Sequence, residues 1–160
     1  MKSLLVIGAG GYGRVVKEIA QLNGYGKIDF LDDNSSLAVG KIADVENLED
    51  FYDGSIVSIG NPEIREEILK KLKKPVTLVH PSAVVSISAV VEPGCVIEAH
   101  AVVNSEAIIG KSCFICAGSV VNHNASVGNY CQIDCNATVS CGAQVTNGTK
   151  VEICTVYRKF

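Results

Sequence analysis

One feature of the sequence limits the fold more than any other. From Val85 onward an aliphatic residue stands at every sixth position: Val85, Val91, Ile97, Val103, Ile109, Ile115, Val121, Val127, Ile133, Val139, Val145 and Val151. Two positions before each stands a small side chain: Ala83, Ala89, Cys95, Ala101, Ala107, Cys113, Ser119, Ala125, Cys131, Ala137, Ala143 and Thr149. A period of six fits neither the 3.6-residue repeat of an amphipathic helix nor the simple alternation of hairpin strands. It fits a solenoid of short strands, each turning one large and one small residue inward, because residues two apart share a strand face. Three hexads close a triangular coil of about eighteen residues, so this run predicts roughly four coils of an all-β parallel β-helix, beginning near Ser82. The period gives no hand, although parallel crossovers are normally right-handed.

The residues before His80-Pro81 follow a different grammar. Leu4-Leu5-Val6-Ile7 is a wholly apolar run, as a strand covered on both faces would be. A glycine-rich turn follows, then Val15, Val16, Ile19, Ala20 and Leu22 at helical spacing. Ile28 to Leu31 and Ile56 to Ile59 read as further strands, and Asp44 to Tyr52 as a short helix. Asn61 can cap the next helix and Pro62 suits its first position. Ile64, Ile68, Leu69 and Leu72 form its expected buried stripe, and Lys70, Lys71, Lys73 and Lys74 are expected to complement its dipole. Val76 to Val79 reads as a final strand. The chain therefore divides into an α/β unit of the βαβ type at residues 1–79 and the β-helix at residues 80–160.

Charge and composition exclude several classes. A formal net charge of -3 argues against a nucleic-acid partner, since phosphate binding requires a basic surface. The apolar start is too short for a signal-peptide core or a membrane span, so a cytoplasmic protein with reduced thiols and no membrane partner is expected. Of the seven cysteines, Cys95, Cys113 and Cys131 are eighteen apart and should stack as small fillers of a narrow core. Cys113-x-x-Cys116 lacks a second pair at zinc-site spacing, so no metal is expected. His80 reads as a junction residue and His100 as a surface corner. His123, in Asn122-His123-Asn124, falls on a turn where an imidazole could serve as a general base.

Gly8-x-Gly10-x-x-Gly13 follows a strand and opens a helix, with Asp32 nineteen residues further on at the end of the second strand. Glycines there admit a phosphate to the backbone amides, and an acid after strand two can hold a ribose or base. A unit this small suits a single nucleotide or nucleotide-sugar better than a dinucleotide. Asp33, and Gly60-Asn61 at the sheet's carboxyl edge, are further candidates, or ordinary loop caps.

Val6-Ile7-Gly8-Ala9-Gly10-Gly11-Tyr12-Gly13, Phe30-Leu31-Asp32-Asp33, Ser58-Ile59-Gly60-Asn61, His80-Pro81-Ser82-Ala83 and Val121-Asn122-His123-Asn124 occur in that order. In this the chain resembles the NeuD/PglD-type sugar acyltransferases, which join a Rossmann-like nucleotide-sugar domain to a left-handed β-helix. The resemblance implies a left-handed coil and a homotrimer with active sites between adjacent β-helices. It implies acyl transfer, usually of acetyl, from acetyl-CoA or another acyl-CoA to an amino or hydroxyl group of a sugar. It places catalysis on His123 and Asn124, the nucleotide-sugar on Gly8, Gly10, Gly11, Tyr12, Gly13, Asp32, Asp33, Gly60 and Asn61, and coenzyme binding on Gln132 and Gly142. Three positions depart from the family's habit. Asn124 replaces an acid, Tyr12 a histidine of the glycine-rich turn, and Gln132 a second histidine. The solenoid is also expected to stop at about Val151, short of longer relatives. A second reading is therefore a trimeric nucleotide-sugar-binding or regulatory module.

Overall fold

The computed structural model describes residues 1–160. The α/β unit comprises β1 (Lys2–Ile7), α1 (Gly11–Leu22), β2 (Tyr25–Leu31), β3 (Ala38–Gly40), α2 (Val45–Leu48), β4 (Gly54–Val57) and α3 (Pro62–Leu69). Its four strands are parallel in the order β3-β2-β1-β4. The central β1 is buried from Ser3 to Ile7, which is why that run carries no polar alternation. The short β3 edge strand had no sequence signature, since Ala38-Val39-Gly40 is too brief to show a period.

Both longer helices bury a narrower stripe than their sequences suggest. In α1 the buried residues are Gly13, Val16, Ile19 and Ala20, whereas Val15 and Leu22 stand exposed. In α3 they are Ile68 and Arg65, while Ile64 is exposed. This helix ends at Leu69 with Lys70 as its cap, so Lys73 and Lys74 lie beyond it and serve other partners. Lys73 pairs with Asp50 at 2.9 Å, and the Lys74 ammonium donates to the Tyr52 carbonyl at 3.0 Å. The fully buried Glu49 carboxylate accepts the backbone N–H groups of Lys73 and Lys74, tying the α2 segment to the chain leaving α3.

The solenoid has fourteen two-residue rungs, from Leu78–Val79 to Val156–Tyr157. Each rung but the last three pairs in parallel with the one eighteen residues later, as in Ile115 with Ile133 and Val121 with Val139, giving three sheets around one core. The core is the predicted double column, with Ile97, Ile115 and Ile133 above Cys95, Cys113 and Cys131 on one face. At the corners a single rule repeats. Every sixth residue from Gly94 to Cys154 has a positive φ, whether Gly118 and Gly142 or Glu106, Asn124 and Tyr130. That left-handed step turns the chain so that the small residue following it points inward.

The solenoid is longer than expected at both ends. Val79 and Tyr157 continue the six-residue register outward and pack on the core. The predicted final strand at Val76 to Val79 is in fact split. Val76 donates its N–H to Ser55 of β4, and two residues later Leu78–Val79 has joined the first rung of the solenoid. A tyrosine at the inward position hid the last rung, because an aromatic breaks the aliphatic pattern without breaking the register.

One face of the prism carries Leu78, Val96 and Phe114 outward, and these are buried with Leu4, Val6, Val16 and Ile56 of the α/β unit in a common cluster. The other two faces point away from it, through Val84, Val102, Val120, Thr138 and Val156 on one and Val90, Ile108, Ser126 and Gln144 on the other.

Candidate active site

His123 lies at the corner between the Val120–Val121 and Ser126–Val127 rungs, which is the edge of the prism opposite the face covered by the α/β unit. Its ring is exposed. The backbone around it is held by three ladders. Asn122 Oδ1 accepts the His123 N–H at 2.9 Å and, at 3.3 Å, the Nδ2 group of Asn104 in the preceding coil. Asn124 donates its N–H to Ser105, and Gly142 of the next coil donates its N–H to the His123 carbonyl at 3.1 Å. The imidazole Nδ1 lies 2.9 Å from Asn124 Oδ1, and Asn124 Nδ2 donates to Glu106 Oε2 at 2.7 Å. Glu106 was not singled out from the sequence. It lies one coil before Asn124, so the eighteen-residue stacking rule applied to polar corners would have found it.

The second cluster surrounds the glycine-rich turn. A Cβ on Gly13 would lie 2.3 Å from the Gly8 carbonyl oxygen, so this position can only be glycine while α1 packs so closely on β1. Gly8 has φ of +107°. Gly10 and Gly11 instead have open space where a side chain would project, leaving the backbone accessible there. Asp32 spans this turn. Its Oδ2 accepts the Ala9 N–H at 2.8 Å, and its Oδ1 accepts those of Asn34 and Ser35. The Ala9 amide, then that of Asn34, hold the Asp32 carboxyl below the usual carboxylate range. Asp33 is exposed, with Oδ1 accepting the Ile42 N–H at 3.1 Å. Asn61 Oδ1 accepts the Ile64 N–H at 2.9 Å, the predicted helix cap, and the Gly60 carbonyl accepts from Arg65.

Tyr12 departs from its expected place. Its ring packs on Phe114 with centroids 4.6 Å apart, and its hydroxyl is buried at the seam beside Glu98 instead of facing the open side of the turn. Burial, and then the Glu98 carboxylate, push its pKa well above the ordinary phenol value. The two coenzyme candidates are also separated from each other. Gly142 stacks beside His123, with its N–H already engaged. Gln132 projects from the face that carries Phe114. Gln132 follows His123 by nine residues, half of an eighteen-residue coil, so the corner of His123 and Gly142 and the face opposite it cannot meet within one chain. No group of three or more His, Cys, Asp or Glu is placed to hold a metal ion, and no helix is long and apolar enough to cross a membrane.

Residues 3–72 match the family described as the PglD N-terminal domain. The whole chain superposes on the acetyltransferase domain of PglB from Neisseria gonorrhoeae with a TM-score of 0.87 and 27% identity, covering 99% of this chain and 92% of that one. The same domain in complex with acetyl coenzyme A matches with a TM-score of 0.75 and 29% identity, over 97% of this chain and 92% of that one. A UDP-N-acetylbacillosamine N-acetyltransferase of Bacillus subtilis is 28% identical in a 119-residue alignment that covers 62% of this chain and 52% of the relative. The chain thus spans about half the length of that curated relative. The fold and sequence define a hexapeptide-repeat protein of the left-handed β-helix class. Within that class the chain is similar to the acetyltransferase domain of PglB and, over residues 3–72, to the PglD N-terminal domain.

Proposed function

We propose that this chain is an acyltransferase that moves an acyl group, acetyl in the first instance, from acyl-CoA to an amino or hydroxyl group of a sugar or nucleotide-sugar. The observation that carries this reading is an exposed corner imidazole whose Nδ1 is hydrogen-bonded to Asn124, leaving Nε2 without a partner in the chain. The likeness to a domain in complex with acetyl coenzyme A supports the donor, and the UDP-sugar N-acetyltransferase supports the acceptor class.

In the proposed step His123 Nε2 takes a proton from the acceptor as its nitrogen or oxygen attacks the thioester carbonyl. The C–S bond then breaks, and coenzyme A leaves as a thiolate that takes up the proton from the imidazolium. A backbone N–H near the corner would steady the oxyanion. The open glycine-rich turn at Gly10 and Gly11, with Asp33, would hold the nucleotide. Within one chain that turn and His123 lie on opposite sides of the prism, so a shared site needs a second copy; the resemblance makes this a homotrimer, in which one copy would offer His123 and a neighbour Gln132 and the α/β unit.

Release of free coenzyme A thiol from acetyl-CoA, measured against a panel of nucleotide amino-sugars, tests the proposal. Acceptor-dependent release supports it. Calorimetric binding of a nucleotide-sugar without binding of acyl-CoA favours instead the regulatory-module reading, to which the uncharged Asn124 and Gln132 lend weight.

A further inference from the structure

We propose that Glu106 is a positioning residue that sets the tautomer of His123 through Asn124. The inference deepens the acyltransferase reading and, for its catalytic consequence, rests on it.

Donors and acceptors must match along a chain of three side chains, Glu106, Asn124 and His123. A carboxylate has lone pairs and no proton to give. Glu106 Oε2, 2.7 Å from the Asn124 amide, therefore demands that Asn124 turn its Nδ2 group toward it. A primary amide has only two ends. With Nδ2 committed to Glu106, the end that faces His123 is Oδ1, which accepts and cannot donate. The ring nitrogen 2.9 Å away must then be the one that carries the proton, so the neutral imidazole is protonated on Nδ1 and has its lone pair on Nε2. That is the tautomer a general base requires on the outward nitrogen. Without Glu106 the amide could rotate by half a turn at no cost, and Nδ2 would impose the opposite tautomer.

The fold supplies the alignment. Asn124 and Glu106 occupy equivalent corners eighteen residues apart, both in the left-handed region with φ of 57° and 58°. Each is held by a further ladder bond, Asn124 N–H to the Ser105 carbonyl and Glu106 N–H to Ser88 Oγ. The acid missing from the position after His123 is thus present one coil earlier, with an amide relaying its effect.

Glu106→Lys is the sharp test, because an ammonium only donates. Asn124 must then present Oδ1 to position 106 and Nδ2 to the ring, which moves the proton to Nε2. The readout is the pair of imidazole nitrogen NMR shifts of the labelled full-length protein, with His123 assigned by the loss of its signals in His123→Gln. The expected result is protonated Nδ1 in the parent, protonated Nε2 in Glu106→Lys and a mixture in Glu106→Gln, whose amide can turn either way. Identical tautomers in the parent and Glu106→Lys, or a parent ring protonated on Nε2, would overturn the proposal. Turnover in Glu106→Lys should also fall toward that of His123→Ala, by up to roughly 10²–10⁴-fold, with KM for acyl-CoA unchanged. A switched tautomer with unchanged turnover upholds the relay and removes His123 as the base, so the two ideas fail separately.

Discussion

Arg65 crosses from α3 into the solenoid and lays its guanidinium carbon 4.1 Å from the centre of the Phe114 ring. The side chain is almost wholly buried, yet no carboxylate meets it. It donates instead to the carbonyls of Ile59 and Gly60 in the α/β unit and to those of Ser112, Tyr130 and Cys131 in the solenoid. Burial pulls its pKa below the ordinary guanidinium value. An arginine stays charged regardless, and its planar fork can serve carbonyls on two sides at once. One residue therefore ties together the two halves whose relative placement any shared site would need.

Replacing Arg65 should loosen that seam. Arg65→Leu leaves several buried carbonyls without a donor and should cost on the order of 3 kcal/mol or more. Arg65→Lys retains the charge but lacks the fork, and should cost less than Leu but still measurably. Denaturant unfolding would give the losses, and limited proteolysis should cut first between α3 and Leu78.

Asp32 should make the glycine-rich turn acid-sensitive. A carboxyl held below its unfolded pKa adds stability above about pH 4, and that stability is lost as pH falls through the folded value. Asp32→Asn cannot accept from both the Ala9 side and the Asn34–Ser35 side, so it should be less stable at neutral pH and should lose less on acidification. Unfolding midpoints of both proteins across the acid range check this; parallel curves would contradict it.

The thiols should divide sharply by reactivity. Cys95, Cys113 and Cys131 each donate S–H to a carbonyl fifteen residues onward, Gly110, Gly128 and Thr146, at 3.0–3.1 Å. These cysteines are structural donors within the core as well as small fillers. Burial, and then the Glu98 carboxylate, push the Cys116 thiol far up. Only Cys141 and Cys154 are exposed. Brief alkylation of the native protein followed by peptide mass spectrometry should modify those two and spare the four buried thiols until the chain is unfolded.

The core of the solenoid was legible because its repeat has to satisfy the same geometry in every coil, so Ile115 announces Ile133. The α/β unit was legible in outline from β1 and the glycine spacing. What escaped was contact between elements. Arg65 drew no notice because its partners are main-chain carbonyls, which carry no sequence signature. Tyr12 was placed among the ligand residues by the resemblance, and nothing in its neighbours announced Phe114. Glu106 was missed because polar corners do not show the aliphatic period, although they stack in the same register.

The most direct test of the central claim is the single-turnover acetyl-transfer rate of His123→Ala beside the parent, at saturating acetyl-CoA and with the fold checked by circular dichroism. Loss of the general base should lower the rate by roughly 10²–10⁴-fold with the spectrum and unfolding midpoint unchanged. A folded His123→Ala protein that transfers acetyl at the parent rate would contradict the account.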